Sequence, residues 1–350
     1  PFLTLYTPAE TWLLVSGLEY GRAKKESNAD AVRRFADYDF QEMRAEHGDE
    51  EARRRMVAAF LEEAGVESVA APKRFPLETA DGLREREYVV EPDGEDTVTT
   101  IRATKTDDEI EHVRAAQRAN ETALAAAEDL LSAAEAVDGT LHQGGEPLTA
   151  ERVKEEIEVA LLREGCALEE TIVAGGEQGA DPHERGSGPL PADEPIVIDV
   201  FPRDKETKYH ADMTRTFVVG EPSAEVRRRH EITEEAMNAA IEAVEPGATG
   251  AEVHDAACDV YEAAGYETLR SDPDAETGFI HSTGHGVGLD VHEGPSISRD
   301  GEELQAGHII TIEPGLYDPA VGGVRIEDIV VVTEDGYENL VDYPVELVVD

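Results

Sequence analysis

The sequence predicts an α+β fold: a small α/β domain over residues 1–100, then two similar α/β halves over residues 101–350 around one curved antiparallel sheet, with helices outside. Three observations predict it. Strand-like and helix-like stretches alternate over the first hundred residues and end in the turn-rich EPDGEDTVTT. Beyond it, the order "two helices, then a β-rich stretch" occurs twice. Each β-rich stretch closes on two apolar runs that carry acids at nearly equal spacing.

In the first domain TWLLVSG reads as a strand, EEARRRMVAAFLEEAG as an amphipathic helix stopped by Gly65, and VESVAAP as the next strand. Thr106 with Glu109 forms a capping box that opens an alanine-rich helix over about 106–136. A second helix over 149–164 closes at Gly165, and IVIDV and DMTRTFVV follow. The second half repeats the order. Helices over 223–244 and 249–264 come first, the latter opened by a Thr249/Glu252 capping box and closed by Gly265. IITIEPG and VRIEDIVVV end it.

Charge excludes several functions. The chain has 78 acids and 31 bases, a formal net charge of −47, and only 7 of the bases are lysines. The acids are spread along the whole length, so a disordered acidic tail is not implied. Near molar salt the Debye length falls to about 3 Å and such a surface stops repelling itself, which points to a salt-rich cytoplasm. A nucleic-acid partner needs a basic footprint that is absent. No apolar run approaches the roughly 18 residues of a membrane span, and PFLTLYTPAE does not read as an export signal. Cys166 and Cys258, in helix-like contexts, read as small core residues.

Most acids in such a chain are solvation, but four do not fit that role. In IVIDVFPRDKETKYHADMTRTFVV, Asp199 ends one apolar run and Asp212 starts the next. In IITIEPGLYDPAVGGVRIEDIVVV, Glu313 ends one run and Glu327 falls inside the next. A carboxylate buried in a strand is costly unless paired or metal-bound. Two hairpins with acids 13 and 14 positions apart can aim four carboxylates at one point. With nearby histidines, these hard oxygen donors suit a pair of divalent ions, Mn²⁺ or Co²⁺ first, Zn²⁺ or Fe²⁺ next. Such a pair makes a water acidic enough for hydrolysis near neutral pH. HSTGHGVGLDVHEGP (281–295) adds three of the chain's eleven histidines. It lacks the spacing of a phosphate-binding glycine loop, and its LDVHE reads as strand.

Asp199, DMTRT, STGHGVGLDVHE, ITIEPGLY and VRIEDI together resemble, in order, the motifs of the pita-bread metallopeptidases. That family includes Xaa-Pro aminopeptidases, Xaa-Pro dipeptidases, methionine aminopeptidases and creatinase. The resemblance covers roughly residues 100–350, and all five of the family's metal-ligand positions are occupied. It implies that Asp199 chelates one ion and that His285 and Glu313 bind the other, with Asp212 and Glu327 bridging them. Glu313 would also act as general base, and His292 would stabilise charge on the substrate carbonyl. His183 would contact the scissile amide, and His281 would line the pocket. Arg325 and Tyr317 flank the acids and would orient them or the substrate.

The first hundred residues resemble the extra domain of the Xaa-Pro and creatinase branch. The implied activity is removal of the first residue from short peptides with proline second, in a homodimer. Methionine aminopeptidase is the alternative, disfavoured by the extra domain and His281. Creatinase chemistry does not keep the five ligands, and a catalytically silent binding protein on this scaffold typically loses them. One departure is the separation of Asp199 and Asp212, thirteen positions where many members have eleven, which bears on substrate preference. His47, His112, His142, His230, His254 and His308 read as structural or solvent-facing, and His210 as at most an outer neighbour of the site.

Overall fold

Residues 2–94 and 96–349 are described by a computed structural model, which divides the chain between Val98 and Thr99. In the first unit Phe2–Tyr6 and Thr11–Val15 pair antiparallel, and Ala31–Arg34 joins them in parallel. Ser68–Ala71 and Val89–Pro92 form a separate parallel pair. Helix Asp49–Glu63 opens with three acids, favourable at the positive end of its dipole, and buries Ala52, Met56, Val57, Phe60 and Leu61. Phe60 anchors this core, with the Trp12 ring edge-on at 6.1 Å.

The junction is less irregular than its composition suggests. Thr97–Ala103 is a helix, opened by Asp93, whose carboxylate accepts both the backbone N–H and the hydroxyl of Thr97. Glu95 lies outside the described residues.

From Thr99 on, the two-helices-then-sheet order is present twice. Helices Asp107–Ser132 and Ala150–Arg163 precede a four-stranded sheet ordered Thr171–Gly175, Ile196–Val200, Met213–Val219, Val348–Val349. Helices Ala224–Glu242 and Gly250–Ala263 precede a five-stranded sheet ordered Glu293–Ile297, Gly284–Gly286, Ile309–Ile312, Asp328–Val332, Tyr337–Asn339. Both expected capping boxes form. The first long helix stops at Ser132, short of 136, because Glu135–Val137 turns back through Asp138-Gly139 to pair with Thr140–Gln143. Asp138 and Gly139 both have positive φ, the backbone a two-residue hairpin needs.

The expected single antiparallel sheet is divided: these two sheets are separate, Val348–Val349 runs parallel to Val218 and Val219, and the halves meet where Met213–Val219 bonds to residues 325–327. Thr216 donates its hydroxyl to Arg325 O and receives Arg325 N–H, and Glu327 N–H reaches Thr214 O at 3.0 Å. Each half has its own apolar core, one around Leu124, Ile157 and Ile198, the other around Val253, Tyr261 and Ile312. Three further expectations change. VRIEDIVVV is two strands, Gly322–Arg325 and Asp328–Val332, broken at Ile326–Glu327, because the first pairs with Gly315–Asp318 and the second with Ile309–Ile312. LDVH is a bend, with strand resuming at Glu293. Cys166 lies on a short strand and only Cys258 on a helix; both are buried and free. Among the described residues no helix is long and apolar enough to cross a membrane.

Candidate metal centre

The strand ends place the acids. Asp199 lies within Ile196–Val200, opposite Thr214 on the neighbouring strand, and Asp212 immediately precedes that strand. Glu313 follows Ile309–Ile312 directly, and its N–H is held by Thr283 O. His285 sits mid-strand between two glycines. A Cβ on Gly286 would lie 2.1 Å from Gly294 O, so only glycine lets the strands approach this closely.

Asp199, Asp212, His285, Glu313 and Glu327 all line one cavity of about 870 Å³, together with His183, His281, His292 and Arg325. Asp212, His285 and Glu327 offer donor atoms that all lie within 4.8 Å of one another. His285 Nε2 is 3.8 Å from Asp212 Oδ2 and 3.3 Å from Glu313 Oε1. Its Nδ1 faces Gly286 O at 3.1 Å, which puts the ring proton there and leaves the unprotonated Nε2 lone pair for a cation. Burial lowers its pKa and keeps the ring neutral.

Electrostatics show what these acids are suited to hold. Burial first, then Glu327, Asp199 and Glu313, hold the Asp212 carboxyl well above its ordinary range. Burial and the neighbouring Glu313 and Asp199 do the same to Glu327. Glu313 is pushed up to about 7, again by burial first, with Arg325 opposing and Asp199 adding. Asp199 Oδ1 and Glu327 Oε1 are buried with no hydrogen-bond partner among the described residues. Buried carboxylate oxygens without donors are costly. Four crowded acids, two orphaned oxygens and one free imidazole nitrogen fit divalent cations.

Arg325 is the one buried cation on the cavity wall among the described residues. Its Nη2 donates to Asp199 Oδ2 at 2.7 Å, Nη1 to Tyr317 Oη at 2.9 Å, and Nε to Thr214 Oγ1 at 3.2 Å. His281 Nδ1 faces Ser282 O at 2.6 Å, so Nε2, 2.9 Å from Tyr317 Oη, accepts the tyrosine proton. Burial, with Arg325 adding, pushes His281 down to about 3 and holds it neutral. The His292 ring stands edge-on to His285 at 4.3 Å between centroids. His183 donates its N–H to Asp181 Oδ1, and Arg325 Nη1 reaches the carbonyl of the preceding Pro182.

The sequence pattern of metallopeptidase family M24 matches residues 111–334. The chain belongs to this family. M24 metallopeptidases use divalent metal ions, in keeping with the acid and imidazole cluster. The chain is 36% identical over 251 residues to an Xaa-Pro dipeptidase of Pyrococcus furiosus, spanning 70% of the chain and 65% of that relative. It is 30% identical to an Xaa-Pro dipeptidase of Pyrococcus horikoshii over 98% of the chain and 87% of the relative. The crystal structure of the prolidase from Pyrococcus horikoshii OT3 superposes with a TM-score of 0.79, covering 99% of this chain and 89% of that one at 30% identity. The catalytic unit of this M24 chain therefore has the pita-bread fold.

Several residues around the site were not singled out from the sequence. Thr214 Oγ1 donates to Glu327 Oε2 at 2.7 Å, and Thr311 Oγ1 bridges His285 N–H and Glu313 Oε1. Arg215, 1% exposed, donates to Thr214 O, Glu327 O, Asp328 Oδ1, Tyr343 O and Pro344 O, stapling the halves directly behind the acids. An arginine inside the apolar run DMTRTFVV was the available signal. His254, expected to be structural or solvent-facing, is buried on a helix and pairs its Nδ1 with Thr283 Oγ1 behind the strand that carries His285. His210 donates its backbone N–H to Gly288 O in the bend before His292.

Proposed function

We propose that this chain is an Xaa-Pro aminopeptidase or dipeptidase that uses two divalent ions, manganese or cobalt first, to hydrolyse the N-terminal bond of short peptides with proline second. One observation supports it most: the five family ligand positions line one cavity, with two buried carboxylate oxygens left unpartnered among the described residues. The relatives named Xaa-Pro dipeptidase and prolidase support the substrate class.

Asp199, Asp212, His285, Glu313 and Glu327 would hold the ions, with Asp212 and Glu327 common to both. When bound, such a pair supplies Lewis-acid polarisation and a water of lowered pKa. Glu313 takes a proton from the attacking water and returns it to the leaving nitrogen. His292 donates to the developing oxyanion, His183 contacts the scissile amide, and His281 lines the pocket. The Arg325–Tyr317–His281 chain fixes Asp199 and keeps the His281 ring oriented.

Residues 1–100 form the small domain of the Xaa-Pro and creatinase branch, and residues 101–350 the catalytic domain. The protein works as a homodimer in a salt-rich cytoplasm, where screening tolerates a net charge of −47. The test is a panel of X-Pro dipeptides, X-Pro tripeptides and Met-Ala-Ser, assayed in near-molar salt with Mn²⁺. Release of the first residue from X-Pro substrates is expected. Trimming of Met-Ala-Ser alone would reassign the branch.

A further inference from the structure

A buried ion pair lies behind the cavity wall, outside the five ligands. Lys105 Nζ is 2.7 Å from Glu293 Oε1, with both side chains almost fully buried, at 1% and 5% exposure. Arg102 Nη2 takes the other oxygen, Glu293 Oε2, at 2.8 Å, and also Asp290 Oδ2 at 2.9 Å. Glu293 is the neighbour of His292, and Asp290 stands two residues before it. Lys105 therefore grips the residue after His292, and Arg102 grips the segment on both sides of it.

The other end of the grip is fixed to the ligand sheet. Lys105 N–H donates to Gly307 O at 2.8 Å, and Thr104 bridges His308. Residues 307–308 lead into Ile309–Ile312, the strand that pairs with Gly286 and is followed directly by Glu313. A Cβ on Gly288 would fall 2.3 Å from Glu293 Oε1, so the bend closes tightly on the same carboxylate. The His292 ring has no hydrogen bond of its own among the described residues, only its contact with His285. Its place depends on the backbone that carries it.

From this geometry we infer that Lys105 and Arg102 are positioning residues: through Glu293 they hold the 288–293 bend, and so His292, at a set distance from Glu313 and His285. Removing the grip lowers kcat without releasing metal. The inference rests on the assignment of His292 to the substrate carbonyl, and its test separates the two.

The informative variant is the pair Lys105→Met with Glu293→Gln, which leaves no lone buried charge; Arg102→Met removes the outer arm alone. Hydrogen exchange by mass spectrometry on peptides covering 287–294 reads the hold directly. The pair is expected to speed exchange there at least tenfold and leave Ile309–Ile312 and the Mn²⁺ content unchanged. On an X-Pro dipeptide, kcat is expected to fall about 10- to 100-fold with little change in KM. In a His292→Ala background the same pair is expected to add almost nothing, because its effect runs through that histidine. Lys105→Arg should keep most of the activity. Unchanged exchange at 287–294 overturns the inference whatever the activity, and so does a loss that multiplies with His292→Ala. If the parent protein cleaves no X-Pro peptide, the assigned function falls while the exchange result still decides the grip.

Discussion

The two halves of residues 99–350 share a plan and carry it out differently. In the first, Asp199 and Asp212 are delivered by a regular hairpin whose strands pair without interruption from Ile196 to Val200. In the second, the matching strand breaks at Ile326–Glu327, and the break lets Glu327 bond its backbone to Thr214 across the halves. The first half thus supplies two acids on a stiff frame, and His183 from a loop. The second supplies two acids plus His285, His281, His292, Arg325 and Tyr317, the groups that adjust charge and orient side chains at the cavity. A repeated scaffold needs to match only in where its carboxylates land. The rest of each half is free to specialise.

Equivalence of the acids is the first point to break. Asp212→Ala and Glu327→Ala, one from each half, are each expected to remove bound metal and lower X-Pro hydrolysis at least about 10³-fold, with the fold retained. Elemental analysis and turnover at high salt measure this. Retention of metal by either variant would make the halves unequal. The staple between them comes next. Arg215→Met leaves Asp328 buried without its ion-pair partner, held only by Asn339 Nδ2 among the described residues, and a stability loss of about 3–5 kcal/mol is expected in denaturant titration. Turnover per folded molecule should hold, since Arg215 touches the backbone behind the acids rather than the cavity.

Arg325 sharpens the charge-adjusting role of the second half. Arg325→Lys keeps one positive charge but loses the fork that spans Asp199, Tyr317 and Thr214. A fall of about 10- to 100-fold in kcat with metal retained is expected. The smallest effect is in pH dependence. Asp212, Glu313 and Glu327 hold their protons longer in the folded metal-free chain than when unfolded. Their stabilising share is therefore full below the ordinary carboxylate range and lost as pH rises, for Glu313 through about 7. At fixed high salt, the gap in Tm between Mn²⁺-loaded and metal-free protein is expected to widen from about pH 5 to about pH 8. A constant gap would mean that the acids are not crowded.

Periodicity and caps made the helices legible: Thr106/Glu109 and Thr249/Glu252 form the boxes their spacing implies. The strand break at Ile326–Glu327 was not legible. VRIEDIVVV is largely apolar, and only pairing with two different partners divides it. The cavity-lining acids stood out because a carboxylate at the end of an apolar run is costly to bury without a cation beside it. Their supports did not, since Thr214, Thr311 and Arg215 gain meaning only from contacts that the folded chain creates. Glu293 was hidden for another reason: in a chain with 78 acids, nothing local separates a buried, doubly gripped carboxylate from a solvated one.

If the two halves together create one centre for paired cations, ion binding must depend on both. Mn²⁺ titration of metal-stripped protein in near-molar salt, followed by calorimetry, tests this most directly. Two ions per chain are expected, with both lost in Asp212→Ala and in Glu327→Ala. Binding of no ion, or binding that survives either substitution, would contradict it.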